Sequence, residues 1–170
     1  MKNIVLVGMP ASGKTTIGKL LAENLRGYSF IDTDYVVETT QGLLISEIFA
    51  EKGEDYFRML ETNALKSVLA RENQIISTGG GIILKEENRQ LLKENSFVVY
   101  LKTDILTLCK RAEKSTARPL LNGGEQKKKI ETLLNQREAL YENVSDFIVN
   151  TENKNKTEII NDIIEKYINI

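Results

Sequence analysis

Gly8-Met9-Pro10-Ala11-Ser12-Gly13-Lys14-Thr15 fits the pattern GxxxxGK[ST], and the residues on either side of it decide how the chain folds. Ile4-Val5-Leu6-Val7 before it is an apolar run suited to a buried strand. After it, Ile17, Leu20, Leu21 and Leu25 recur at helical spacing. A strand, a glycine loop and a helix in that order make a phosphate cradle. The glycines let the backbone curl so that successive N–H groups face an anion, and the helix N-terminus adds its positive dipole end. Lys14 is a point charge able to reach the β- and γ-phosphates, and the Thr15 hydroxyl is placed for Mg²⁺.

The chain has 170 residues, 41% of them hydrophobic and 28% charged, which suits one domain with a core and excludes a disordered or membrane-spanning class. The net charge of −1 gives no footprint for nucleic acid or a membrane surface. No signal-peptide pattern precedes the first strand. Cys109 is the single cysteine, so no disulfide can form within the chain; a cytoplasmic location is expected, with Cys109 filling core among Leu106, Leu108 and Ala112. There is no histidine, which excludes histidine triads and His–Cys zinc sites and leaves acid–base work to carboxylates, lysine or the substrate.

Apolar patterning predicts strands near Ile4–Val7, Tyr28–Ile31, Gln74–Ser77, Phe97–Leu101 and Asp146–Val149. Helices are predicted near Lys14–Leu25, Asp34–Thr40, Ile45–Glu51, Glu54–Ala70, Glu86–Glu94, Asp104–Ala112, Gln126–Tyr141 and Lys156–Ile168. The last carries Ile159, Ile160, Ile163, Ile164, Tyr167 and Ile168 on one stripe. Short buried strands alternating with helices argue for an α/β fold whose parallel sheet is covered on both faces. Ligands of such sheets bind beyond the carboxyl ends of the strands.

Several residue sets fall at those ends. In Asp32-Thr33-Asp34, one carboxylate can serve Mg²⁺ while the other faces a substrate hydroxyl; equally, Thr33 or Asp34 can simply cap the next helix. The third strand lacks the acidic residue that often holds magnesium, so Asp32 is the nearest substitute. Arg58 and Glu61 are three apart on a helix, which by pattern alone is a solvated ion pair, or else a guanidinium oriented by Glu61 toward a cleft. Arg137 interrupts the apolar series Ile130, Leu133, Leu134, Leu140 and Tyr141; it either snorkels or binds an anion, and the second is favoured. Gly79-Gly80-Gly81 reads as a binding loop, with a flexible turn as the alternative. The basic stretch from Lys110 to Gly124 has the cations and hinges of a lid, and Arg118 suits a transferring phosphoryl group better than Lys114 does.

Taken together, the phosphate loop, Asp32-Thr33-Asp34, Phe57-Arg58 with Glu61, Gly79-Gly80-Gly81, Arg118-Pro119-Leu120-Leu121 and Arg137 resemble the shikimate kinase family over nearly the whole chain. The resemblance implies a P-loop NTPase fold of the nucleoside-monophosphate-kinase-like type, with a five-stranded parallel sheet in the order 2-3-1-4-5. It implies one domain over residues 1–170, with a substrate-binding region at about 34–60 and a lid at about 112–124. The implied reaction is transfer of the ATP γ-phosphoryl group to the 3-hydroxyl of shikimate, on the route to chorismate and the aromatic amino acids. One Mg²⁺ accompanies ATP, held by Thr15 and, through water, by Asp32. The implied ATP-binding residues are Ala11, Ser12, Gly13, Lys14, Thr15, Thr16, Arg111, Arg118 and Lys154. Asp34, Arg58, Gly79, Gly80, Gly81 and Arg137 grip the substrate, with the arginines on its carboxylate. Asp34, Lys14 and Arg118 form the implied catalytic set. A monomer is expected, with shikimate and ATP as its only partners.

In the segment from Asn150 to Lys156, relatives often carry an arginine and a proline that flank adenine; here Lys154 is the nearest match and the proline is missing. Three rival readings remain. A gluconate or nucleotide kinase would not call for two arginines and Asp34 around one carboxylate. A guanine-nucleotide switch needs Asn-Lys-x-Asp, whereas Asn153-Lys154-Asn155-Lys156 ends in lysine. A binding module without catalysis has no need of Lys14, Asp34 and Arg118 together.

Overall fold

The computed structural model describes residues 2–114 and 123–169. Five parallel strands, β1 (Asn3–Val7), β2 (Ser29–Asp32), β3 (Gln74–Ser77), β4 (Ser96–Lys102) and β5 (Phe147–Asn150), form one sheet in the order β2-β3-β1-β4-β5. The connecting helices are α1 (Lys14–Asn24), α2 (Thr33–Gln41), α3 (Ile45–Leu69), α4 (Glu86–Asn95), α5 (Ile105–Glu113), α6 (Gly123–Val144) and α7 (Lys156–Ile168), with a short 3₁₀ turn at Ile82–Leu84.

β1 shows why the sheet is sandwiched. All of it is buried, and its side chains alternate between two cores. Val5 and Val7 face one side, where Ile76, Val98 and Tyr100 meet Leu65, Val68, Leu92, Leu134 and Tyr141 from the helices. Ile4 and Leu6 face the other, with Ile17, Leu21, Ile159, Ile160 and Ile163. A smaller cluster of Val37, Ile48, Phe57 and Ala64 joins α2 to α3 away from the sheet.

Helix α3 bends at Gly53, whose φ of 80° and ψ of 175° are not helical. Only glycine takes this conformation readily, so the chain runs as two helical pieces, as the separate predictions Ile45–Glu51 and Glu54–Ala70 require. Asp104 lies just outside α5 as its N-cap, accepting from the Thr107 N–H at 2.9 Å, and Asn155 closes a capping box with Glu158 at the start of α7.

Two expectations for side chains fail. Ile168, at the last position of α7, is 70% exposed rather than part of the stripe. Cys109 is only half-buried and Leu106 is exposed, because α5 turns Leu108 into the core and packs Ile105 against it, leaving the other face outward. Among the described residues, no helix is long and apolar enough to cross a membrane.

Candidate active site

The carboxyl ends of β1, β2 and β3 open into a crevice of about 630 Å³ lined by the phosphate loop, Asp32, Asp34, Ser77 to Gly80, Arg111, Thr151 and Lys154. The loop turns tightly: Gly13, at φ 100°, is the N-cap of α1. No side chain caps α1 and its first turn carries no acidic residue, so its N–H groups are left for an anion. Lys14 is buried, and its ammonium donates to the carbonyls of Gly8 and Met9 at 2.9 and 2.8 Å. Burial lowers its pKa to about 8 against the attraction of Asp34 and Asp32. From α5, Arg111 donates to the carbonyls of Ala11 and Ser12, each at 3.2 Å, bringing a second cation to the loop.

Asp32 closes β2 and serves as the N-cap of α2, accepting from the Asp34 N–H through Oδ1 at 3.0 Å. Its Oδ2 accepts from the Thr15 hydroxyl at 3.0 Å, and Ser77 lies 3.4 Å from that hydroxyl. The cap is therefore neither Thr33 nor Asp34. One carboxylate does both jobs because it has two oxygens. Asp32 pairs in register with Ser77, so an acidic group stands one strand to the side of the β3 position where it was missing. Thr15 and Asp32 offer oxygen donors, the type Mg²⁺ takes. Among the described residues, no group of three or more His, Cys, Asp or Glu side chains could hold a metal, so an ion here would draw its remaining ligands from phosphate and water.

Asp34, freed from capping, turns into the crevice. Its Oδ1 is buried without a hydrogen-bond partner, as is Glu61 Oε1. Burial first, then the neighbouring charges of Asp32 and Glu61, raise the Asp34 pKa to about 6 in spite of Lys14. Both orphan oxygens crowd Gly79: a β-carbon there would lie 2.7 Å from the Asp34 oxygen and 2.9 Å from that of Glu61.

Arg58 sits one turn past the Gly53 bend. Its Nη1 donates to Glu61 Oε2 at 2.8 Å, and its Nε and Nη2 donate to Glu54 Oε1 at 3.2 and 3.0 Å. Glu61 is 1% exposed, so this is a buried clamp and not the solvated pair that its spacing favours. Burial pushes the Glu61 pKa up, although Arg58 opposes it. A guanidinium has five N–H groups; three are engaged, which leaves one on each terminal nitrogen, a pair suited to a carboxylate. The guanidinium lies against Gly81, where a β-carbon would collide with it.

Arg137, from α6, donates to the Gly80 carbonyl at 3.3 Å. The two arginines thus flank adjoining residues of one glycine loop, and Arg137 is close enough to Lys14 to lower its pKa. Tyr141, read from its spacing as a core residue, donates to the same Gly80 carbonyl at 2.5 Å; periodicity marks its burial but not its hydroxyl. Pro10 is another participant that the motif leaves unmarked, with its ring where a Gly80 side chain would go. Lys154 lines the crevice but is paired with Asp162 at 2.6 Å. Thr16 also lines it. Arg118 and most of the expected lid lie outside the described residues.

A parallel sheet with a phosphate loop after β1, a carboxylate in the crevice of that loop, and two guanidinia on the neighbouring Gly79–Gly81 loop define a P-loop phosphotransferase of the nucleoside-monophosphate-kinase-like type. The family described as "SKI: Shikimate kinase" matches residues 10–168. A shikimate kinase of Thermodesulfovibrio yellowstonii is 40% identical over 167 residues, covering 98% of this chain and 95% of that protein. One of Persephonella marina is 42% identical over 164 residues, covering 96% of this chain and 98% of that one. The solved structure of the Acinetobacter baumannii shikimate kinase in complex with shikimate superposes with a TM-score of 0.92 at 35% identity, over 99% of this chain and 94% of that one. The chain belongs to the shikimate kinase family.

Proposed function

We propose that this protein transfers the γ-phosphoryl group of ATP to the 3-hydroxyl of shikimate, giving shikimate 3-phosphate and ADP. The observation that carries this reading is that three successive glycines meet the three groups: Gly79 the orphan oxygen of Asp34, Gly80 the Arg137 guanidinium and Gly81 that of Arg58, with Asp34 also lining the crevice of the phosphate loop. A small hydroxy-acid presents one carboxylate and a few hydroxyls, and two guanidinia plus one carboxylate complement that set.

In this reading Lys14 and the N–H groups of Ala11 to Thr16 hold the phosphates, with Arg111 beside them and Lys154 toward the base. Thr15 and Asp32 hold one Mg²⁺, which offsets phosphate charge when bound. The free N–H pair of Arg58 and the Arg137 guanidinium take the substrate carboxylate, and the Gly79–Gly81 backbone lies along the ring. Asp34 accepts the hydrogen bond of the reacting hydroxyl. The hydroxyl oxygen bonds to the γ-phosphorus as the bond to the bridging oxygen breaks in line, so the protein contributes position and charge rather than covalent chemistry. Residues 34–60 act as the substrate-binding part of a single domain, supported by the separate small core of α2 and α3. We further propose that the chain acts as a monomer, and in the cytoplasm, where a protein with a single cysteine needs no disulfide.

The test is a coupled assay of ADP release with shikimate, quinate, gluconate and CMP as acceptors. Turnover with shikimate alone is expected; equal or faster turnover with gluconate or CMP would replace this reading.

A further inference from the structure

Thr78-Gly79-Gly80-Gly81 carries no side chain at its last three positions; the Gly79 and Gly81 carbonyls accept from the Ile82 and Leu84 N–H groups at 3.1 and 3.0 Å, which leaves the Gly80–Gly81 peptide plane without a backbone hydrogen bond to fix it. Its neighbours must do so. Pro10 abuts Gly80 and Arg58 abuts Gly81, but these contacts limit position and do not orient a peptide plane. Orientation requires a hydrogen bond.

Two donors reach the Gly80 carbonyl, the Tyr141 hydroxyl at 2.5 Å and Arg137 Nη1 at 3.3 Å. They stand four residues apart on α6 and so share a face. The Tyr141 ring is 0% exposed and stacked on Tyr100, with centroids 5.0 Å apart and planes 24° apart. Tyr100 is in register with Val7, the last residue of β1 before the phosphate loop. The phenol therefore has a rigid seat anchored in the centre of the sheet. Burial pushes its pKa to about 12, so it remains a donor throughout the working range of pH.

We propose that Tyr141 is a positioning residue for the substrate: its hydroxyl fixes the Gly80–Gly81 peptide plane and leaves Arg137 free to turn to the substrate carboxylate. The inference rests on the shikimate-phosphorylating reading above. In a trans peptide the carbonyl and the following N–H point in opposite directions. Holding the Gly80 oxygen toward α6 thus directs the Gly81 N–H away from α6. Among the described residues that N–H has no acceptor. Arg137 cannot hold the plane alone, because its bond to Gly80 is the longer one and must loosen when the guanidinium engages an anion. The Tyr141 hydroxyl has Met9 Sδ at 4.0 Å and the Arg137 guanidinium as its other neighbours, but as a neutral phenol it is not drawn off by an anion.

Tyr141→Phe keeps the ring and its stack and removes only the donor. The comparison is Tyr28→Phe, which removes a phenol hydrogen bond, to the Tyr167 hydroxyl at 2.8 Å, ahead of the opposite, amino end of β2. Steady-state kinetics and shikimate titration calorimetry are measured on wild type and both variants, with the Gly81 amide followed by NMR. For Tyr141→Phe, the KM and Kd for shikimate rise about fivefold, as expected for one lost hydrogen bond. The KM for ATP and kcat stay within about twofold, a split consistent with lost uniform binding. The Gly81 amide resonance moves. Tyr28→Phe lowers Tm without changing either KM. An unchanged shikimate KM in Tyr141→Phe, an unmoved Gly81 amide, or an equal rise in Tyr28→Phe overturns the inference while the reading of the reaction stands. Absence of shikimate-dependent turnover in wild type overturns the reading, and the inference with it.

Discussion

Asp34 Oδ1 occupies the space in which a side chain on Gly79 would begin, 2.7 Å from the position of its β-carbon. The carboxylate and the glycine therefore define one another: the loop can approach because it is bare, and the carboxylate is confined because the loop has approached.

Gly79→Ala will force Asp34 and Glu61 aside together. Displacement of an aligned group by about an ångström costs on the order of 100-fold in rate, so a loss of that size in kcat/KM for shikimate is expected. The KM for ATP should change little, since the phosphate loop is not displaced. Steady-state kinetics with each substrate varied in turn reads both quantities.

Asp34→Asn should lower kcat by about 100-fold or more while leaving ATP binding intact, and it should also make the protein more stable. The carboxyl pKa is raised from an ordinary 3.8 to about 6, so the folded chain binds this proton more tightly than the unfolded chain does. Stability from this group is full below about pH 4 and declines as pH rises through 6. At neutral pH the charged side chain costs on the order of 2 kcal/mol, allowing for its partial exposure. Thermal melts at pH 7.5 should show a higher Tm for the variant, and the gap should close toward pH 4. Turnover by wild type should fall as pH drops through about 6, as the carboxylate is lost.

Arg58→Lys keeps the charge but loses the planar fork. An ammonium cannot serve Glu54, Glu61 and a carboxylate together, and Glu61 is almost fully buried. We expect the KM for shikimate to rise by about tenfold or more and stability to fall by about 1–3 kcal/mol. Kinetics and urea unfolding test this, and an unchanged KM would remove Arg58 from the carboxylate grip.

Asp32→Asn separates the two roles of that side chain. Asparagine caps a helix about as well as aspartate does, so stability should change by less than about 0.5 kcal/mol. In the proposed reading the metal loses a charged partner, so the Mg²⁺ concentration needed for half-maximal activity should rise, and added Mg²⁺ should restore the rate. A variant that Mg²⁺ cannot rescue would confine Asp32 to capping.

What the sequence makes readable is local. β3 and α7 fall on their predicted bounds, because a short apolar run in one and an isoleucine stripe in the other are properties of consecutive residues. The Arg58–Glu61 spacing is equally local, but its burial is not: the pair is enclosed by Gly79–Gly81, some twenty residues further along the chain. Asp32 and Asp34 show the same limit. Each type suits a cap, and only the point at which β2 gives way to α2 decides which of them caps and which is released to the crevice. Tyr141 fits an apolar period so well that its hydroxyl leaves no trace in the pattern. Arg137 breaks that period and is readable for that reason.

Lys14 and Asp34 are each held by burial in a state less favourable to their charge than water would allow. In the proposed reading a triphosphate brings anions to the first and the acceptor brings its hydroxyl to the second, so binding relieves both groups. The ligand-free chain is then its own weakest form, and either substrate, when supplied, raises its resistance to unfolding by mass action.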